Sequence, residues 1–291
     1  MFFQSYSNDN CKMAAVEVPF DKEFGFLKFH DDVGFQGQDE IAVKRTAYWS
    51  HCGPLIDTSD ALPSTFLDFE TRTFTGSVQD RLVPFLNRAN SVLHEKGFQH
   101  YFLTIRASTP THDFDRPRWH TDELFFTDTL PGTRLGLKSS YTKAHQNNGT
   151  NWKICTTLLG PSTLFLPHQH QSSAREAQET ARRAASTDHN CSFLTCIACA
   201  AASDAVRNEL ASTLAPCGAE VAELGECAVF KVGREFGAVH SEPCMSEGET
   251  GRVFVNVVPG TEGELKELME RWGMEFPRQW EFPRQLGIDD N

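Results

Sequence analysis

Hydrophobic and polar positions follow two periods along this chain. From Ser77 to Gly97, apolar residues recur at three- and four-residue spacing (Leu82, Val83, Phe85, Leu86, Ala89, Val92, Leu93). That spacing predicts an amphipathic helix, capped by Ser77 and stopped by Gly97. His100-Tyr-Phe-Leu-Thr-Ile-Arg106 is aromatic and β-branched and predicts a strand. Further strands are predicted at Leu124–Asp128, Arg134–Ser139, Trp152–Leu159, Ser162–Leu166, Ser192–Ala198, Cys227–Val232, Gly237–His240 and Arg252–Val258. Two helical insertions interrupt them, a polar one over Ser172–Ala185 and a mildly amphipathic one over Ser203–Leu214. A closing amphipathic helix over Thr261–Gly273 has Thr261 and Glu264 at capping-box spacing.

Many short strands with a few flanking helices predict a mainly β domain, a sandwich or barrel of jelly-roll type spanning 1–291. Residues 1–75 lack a strong period and read as an irregular lead-in with one or two strands. The jelly-roll core is expected over 100–260, with helical insertions near 168–190 and 203–214. Residues 274–291 form a C-terminal tail containing a short repeat, Glu275-Phe-Pro-Arg-Gln279 and Glu281-Phe-Pro-Arg-Gln285. Its prolines predict an extended segment lying on the body through Phe276, Trp280 and Phe282.

Composition narrows the function classes. The 291 residues include 27 basic and 39 acidic side chains, a net charge of −12, which argues against a general nucleic-acid or anionic-membrane partner. The longest apolar run, Phe193–Ala202, is too short to span a bilayer, and the first ten residues lack the pattern of a secretory leader. Nine cysteines make no even framework, so a reducing cytoplasmic setting is expected. Cys196-Ile-Ala-Cys199 has no second such pair to complete a zinc site and is read as structural.

The segment richest in chemistry is Arg118-Trp-His-Thr-Asp122. In extended backbone, residues two apart share a side, so His120 and Asp122 can offer an imidazole nitrogen and a carboxylate oxygen to one ion. His240 follows a later run of strands, and Arg252 stands 12 residues beyond it. Two histidines and one carboxylate leave positions open for Fe(II) oxygen chemistry; a zinc hydrolase can use the same ligand types with a separate base.

Trp119-His-Thr-Asp122, Gly160-Pro-Ser-Thr163-Leu-Phe, Val239-His240 and Arg252-Val-Phe, in that order, resemble the motifs of the Fe(II)/2-oxoglutarate-dependent dioxygenases, nearest to the taurine-dioxygenase-like group. The resemblance covers about residues 118–258 as scattered motifs. It implies a double-stranded β-helix of the jelly-roll, cupin-like kind, with Fe(II) held by His120, Asp122 and His240. It further implies that Arg252 holds the far carboxylate of the cosubstrate 2-oxoglutarate, with Thr163 assisting, and that O2 oxidises a C–H bond of a small organic molecule. An amino acid or other carboxylic acid is the expected substrate type, with hydroxylation, desaturation and cyclisation all open. A carboxylate at position 122 argues against halogenation. The turn reads Gly-Pro-Ser-Thr, and the gap from His120 to Thr163 is long for the group, as an insertion around Thr142–Asn151 would explain.

Candidate substrate contacts are Phe125 and Phe126, which follow the His-Thr-Asp motif, and the arginines Arg106, Arg118, Arg134 and Arg234. His168-Gln-His170 reads as a loop, and Lys153, which opens a strand after the His-Thr-Asp motif, reads as an edge-strand lysine or as a contact to a carboxylate. The stretch 172–190 reads either as a substrate-covering lid or as decoration. Cys155 and Cys227 have no adjacent base and are not expected to act as nucleophiles. Two alternatives stand beside the oxygenase: a non-catalytic jelly-roll protein that binds a metal or ligand, and an oxygenase acting on a protein side chain.

Overall fold

In the computed structural model, residues 21–30, 41–126, 151–185, 196–246 and 250–283 are described. Ten strands are present among them: β1 (Phe24–Lys28), β2 (Ala47–Pro54), β3 (His100–Ser108), β4 (Trp152–Leu159), β5 (Leu164–Phe165), β6 (Glu220–Val221), β7 (Glu226–Lys231), β8 (His240–Ser241), β9 (Arg252–Gly260) and β10 (Arg278–Pro283). The helices are α1 (Ser64–Thr73), α2 (Gln79–Glu95), α3 (His168–Ala184), α4 (Ile197–Leu214) and α5 (Glu262–Arg271). Seven strands pair antiparallel in the order β1-β7-β4-β9-β3-β2-β10, and a small sheet runs β6-β5-β8. No closed barrel forms among the described residues.

Register decides which side chains share a face of the large sheet, because directly opposed residues point the same way. One face carries Ala47, Trp49, Leu103, Ile105, Ile154, Val229, Val253, Val255 and Val257, buried beneath Phe66 and Phe69 of α1 and the apolar stripe of α2. Burying each such large side chain contributes about 1.5–3 kcal/mol before entropy is counted. The opposite face is mixed. Its rows contain Tyr48, Arg106, Phe254 and Thr157, then Ser50, Thr104, Asn256 and Cys155. At one end the small sheet packs down through Phe165 onto Phe24 and Phe230; at the other, α5 lies on Cys52, Phe102 and Val258.

The helix at α2 begins two residues later than predicted, at Gln79. Buried Glu70 of α1 accepts hydrogen bonds from Ser77 Oγ, the Val78 N–H and Gln79 Nε2, so a carboxylate from the preceding helix organises this end. The Thr261/Glu264 capping box is present at α5. The lead-in is less irregular than expected, since α1 lies within it. α1 is short and starts behind Pro63 with no side-chain cap, so the local signal is weak. Residues 197–198, predicted as strand, open α4: an alanine-rich run favours helix over strand once it has a surface to pack on. No strand forms at Leu124–Phe126, and the expected Arg134–Ser139 strand lies outside the described residues. The tail forms β10 on the edge of the large sheet, with Trp280 stacked on Phe102; Phe282, expected to lie on the body, is 56% exposed. Glu281 there pairs with Arg45 and Arg72. Among the described residues no helix is long and apolar enough to cross a membrane.

Candidate metal centre

His120 and His240 meet through backbone. Each N–H donates to the other's carbonyl at 2.9 Å, an isolated antiparallel bridge that extends the small sheet beyond β8. Residues opposed in this way project side by side, and the imidazole centroids stand 4.4 Å apart. Asp122, two residues on, reaches the same side: Oδ1 lies 3.8 Å from His120 Nε2 and Oδ2 lies 3.7 Å from His240 Nε2. One donor atom from each of the three residues lies within 4.8 Å of the others, so a modest contraction surrounds one ion.

Ring orientation is held from behind. His120 Nδ1 lies 2.7 Å from the Arg118 carbonyl, and His240 Nδ1 lies 3.0 Å from the Ala238 carbonyl. A carbonyl can only accept, so each Nδ1 carries the proton and each Nε2 lone pair faces Asp122, the tautomer a metal requires. His240 is 7% exposed, with Phe165 stacked at 5.7 Å and Phe230 tilted at 5.0 Å. Burial, aided by the neighbouring His120, pushes its pKa down to about 4 and leaves it neutral at physiological pH. Burial alone would raise the Asp122 pKa, but the charges of Lys153, His240 and His120 hold it well below the usual carboxylate range.

Of the two readings of Lys153, the contact to a carboxylate is the one the structure has. β4 is an interior strand, and the Lys153 ammonium donates to Asp122 Oδ2 at 2.7 Å. Along β4, Lys153, Cys155 and Thr157 share the mixed face. The buried Cys155 thiol is pushed up to about 12 by burial, which keeps it protonated and agrees with its exclusion as a nucleophile. Beyond it, Thr157 Oγ1 lies 3.4 Å from Arg252 Nη2.

Arg252 is 4% exposed and has no carboxylate within 4 Å among the described residues. It donates from Nε to the Pro161 carbonyl at 2.9 Å and from Nη2 to Thr163 Oγ1 at 2.9 Å, while its guanidinium lies 4.6 Å over the Phe254 ring. Burial pushes its pKa down to about 10, still fully cationic at neutral pH. The turn supplying Pro161 and Thr163 begins at Gly160, which has φ +82°; a Cβ there would come within 2.4 Å of the Gly251 carbonyl oxygen. Only glycine brings that turn against the start of β9.

Other sequence candidates lie elsewhere. Phe125 and Phe126 pack into the cluster beneath α5 with Phe102, so they fill a satellite core. Arg234 makes a two-pronged surface pair with Glu123. Arg118 and Arg106 line a cavity beside the triad, and Arg134 lies outside the described residues. His168 and His170 open α3 instead of forming a loop. Their polar surroundings hid a helix that is held by packing Gln171, Ala174, Gln178 and Ala181 inward. α3 and α4 cover Trp119 and Val239, neighbours of the ligands on the reverse face, so residues 168–184 buttress the centre from behind, while 186–190 of the stretch read as lid or decoration lie outside the described residues.

Gln171, fully buried, was not legible in the sequence as a site residue. Its Oε1 accepts from the Val239 N–H at 2.7 Å and its Nε2 donates to the Leu166 carbonyl at 2.7 Å, pinning the backbone next to His240. Gln171→Leu strands both groups, with an expected cost of about 1–3 kcal/mol in urea unfolding. Divalent-ion affinity is expected to fall by about 10-fold, as for other groups that orient a ligand from behind, read by titration with Co(II) absorbance.

No protein-family model, curated protein or solved structure matches this chain.

Proposed function

We propose that the protein is an Fe(II)- and 2-oxoglutarate-dependent oxygenase acting on a C–H bond of a small organic molecule, built on a double-stranded β-helix of which the two sheets are the halves. The convergence of His120, Asp122 and His240, with both Nε2 lone pairs turned toward the carboxylate, carries this reading. The donor set fits a divalent ion that keeps open positions. Bound iron and 2-oxoglutarate would supply the oxidising power by coupling decarboxylation of the keto acid to oxidation of the substrate by O2.

The chain's own residues bind, orient and exclude water. Arg252 presents a buried cation with no carboxylate within 4 Å among the described residues, Glu242 acting on it only at longer range, and this suits it to the far carboxylate of a keto diacid; Thr163 fixes the guanidinium plane through Nη2. Phe165 and Phe230 keep water from the His240 side. Neither a nucleic acid nor a membrane enters this reading; the partners are a small molecule and O2.

One observation favours the non-catalytic alternative: Lys153 already satisfies the Asp122 carboxylate without any ion. A single assay separates the two. Full-length protein with Fe(II), 2-oxoglutarate, air and a panel of amino and carboxylic acids is expected to form succinate in proportion to O2 consumed. Ion binding without succinate across the panel would leave a binding protein.

A further inference from the structure

Beside the triad lies a cavity of about 420 Å³, a volume typical of small-molecule sites. Arg106, Arg118, Asp113, Glu242, Phe114 and Tyr48 are among the residues that line it. Its walls continue from the metal ligands: Arg118 precedes His120 by two residues, and Glu242 follows His240 by two. Arg106 stands on β3 directly opposite Phe254, the ring beneath the Arg252 guanidinium.

The charges in this cavity form no close ion pair among the described residues, although Arg106 and Glu242 feel each other's charge at longer range. Arg106 and Arg118 converge on one aromatic ring, with guanidinium carbons 5.8 and 4.6 Å from the centroid of Phe114. Among the described residues Arg106 donates only from Nε, to Ser108 Oγ at 3.2 Å, and also lies 5.5 Å from the Tyr48 ring. Arg118 donates to the backbone carbonyl of Asp113, whose carboxylate stays exposed at the rim. Among the described residues neither arginine has a carboxylate within 4 Å, and no cation lies within 4 Å of the Glu242 carboxylate. A ligand carboxylate reaching both guanidinium groups would accept charge-assisted hydrogen bonds from each. Two cations and two carboxylates also balance, so the cavity suits a ligand of zero net charge with separated poles.

We propose that this cavity is the substrate chamber and takes a free amino acid, its carboxylate held by Arg106 and Arg118 and its ammonium by Glu242, with the side chain against Phe114 and Tyr48. Its role as a chamber for oxidation rests on the oxygenase reading; its selectivity for a zwitterion does not.

The test is calorimetric titration of the full-length chain under nitrogen, with and without Fe(II) plus 2-oxoglutarate. The ligands are the L-amino acids, and for each its methyl ester and its des-amino acid. At least one amino acid is expected to bind about tenfold or more tighter than both of its analogues. Arg106→Met and Arg118→Met are expected to weaken it by about tenfold or more. Glu242→Gln is expected to bring the amino acid and its des-amino acid within about twofold of each other. Absence of any amino-acid binding, equal binding of ester and acid by the unaltered chain, or affinity unmoved by the three substitutions overturns the proposal. The ester comparison needs no variant, so a substitution that fails to fold does not shelter it. Selective binding without succinate formation in air would remove the oxygenase reading and keep an amino-acid site. Succinate formation with no amino-acid binding would remove the chamber assignment alone.

Discussion

Asp122→Asn is expected to lower divalent-ion affinity by well over about 100-fold and to abolish succinate formation. Even the groups that merely orient ligands are worth about 10–100-fold, and Asp122 supplies the only anionic donor of the three. Asparagine keeps the shape and loses the charge, so the ion meets two imidazoles and at best a weak neutral amide oxygen. The same substitution leaves the Lys153 ammonium, 13% exposed, without its partner. Breaking a buried pair from one side costs about 3–5 kcal/mol. Lys153→Met breaks the pair from the other side. It removes the group competing for Oδ2, so ion affinity is expected to rise while the ion-free protein melts lower. Thermal unfolding with and without Co(II) reads both effects: the ion-induced gain should vanish in Asp122→Asn and widen in Lys153→Met. A gain in Asp122→Asn equal to that of the unaltered protein would place the ion elsewhere.

Arg252→Met is expected to raise KM for 2-oxoglutarate by about 100-fold or more while leaving ion affinity unchanged, the size expected when one side of a buried, hydrogen-bonded charge pair is removed. Its effect on stability should be small or favourable. A buried guanidinium whose hydrogen-bond acceptors among the described residues are all neutral is costly to the folded protein, and methionine fills similar volume without that desolvation cost. Steady-state kinetics and urea unfolding on the same preparation decide between roles. Collapse of stability with KM unmoved would make Arg252 a structural residue.

Local pattern was enough for the elements that make their own signal. The α2 stripe, the runs at β3, β4 and β9, and the α5 capping box all appear within a few residues of where periodicity and capping place them. α1 and the start of α3 were hidden because neither has a side-chain cap, and α3 turns polar residues toward the small sheet. In β4 the sign was present but ambiguous. Lys153, Cys155 and Thr157 alternate along an otherwise apolar strand, and only knowledge that both edges of the strand are covered separates a polar site face from a solvated one.

By itself, then, the sequence determined which residue types were available for chemistry and that His120 and Asp122 share a side, because a two-residue spacing in extended chain is a local property. That His240 joins them was decided by an antiparallel bridge across 120 positions, whose register no neighbouring residue encodes. The Lys153–Asp122 pair, the Gln171 brace and the two guanidinium groups around Phe114 are likewise products of strand order and helix packing. Side-chain direction follows from local backbone, but the partner met at the end of that direction follows from the burial of the whole core.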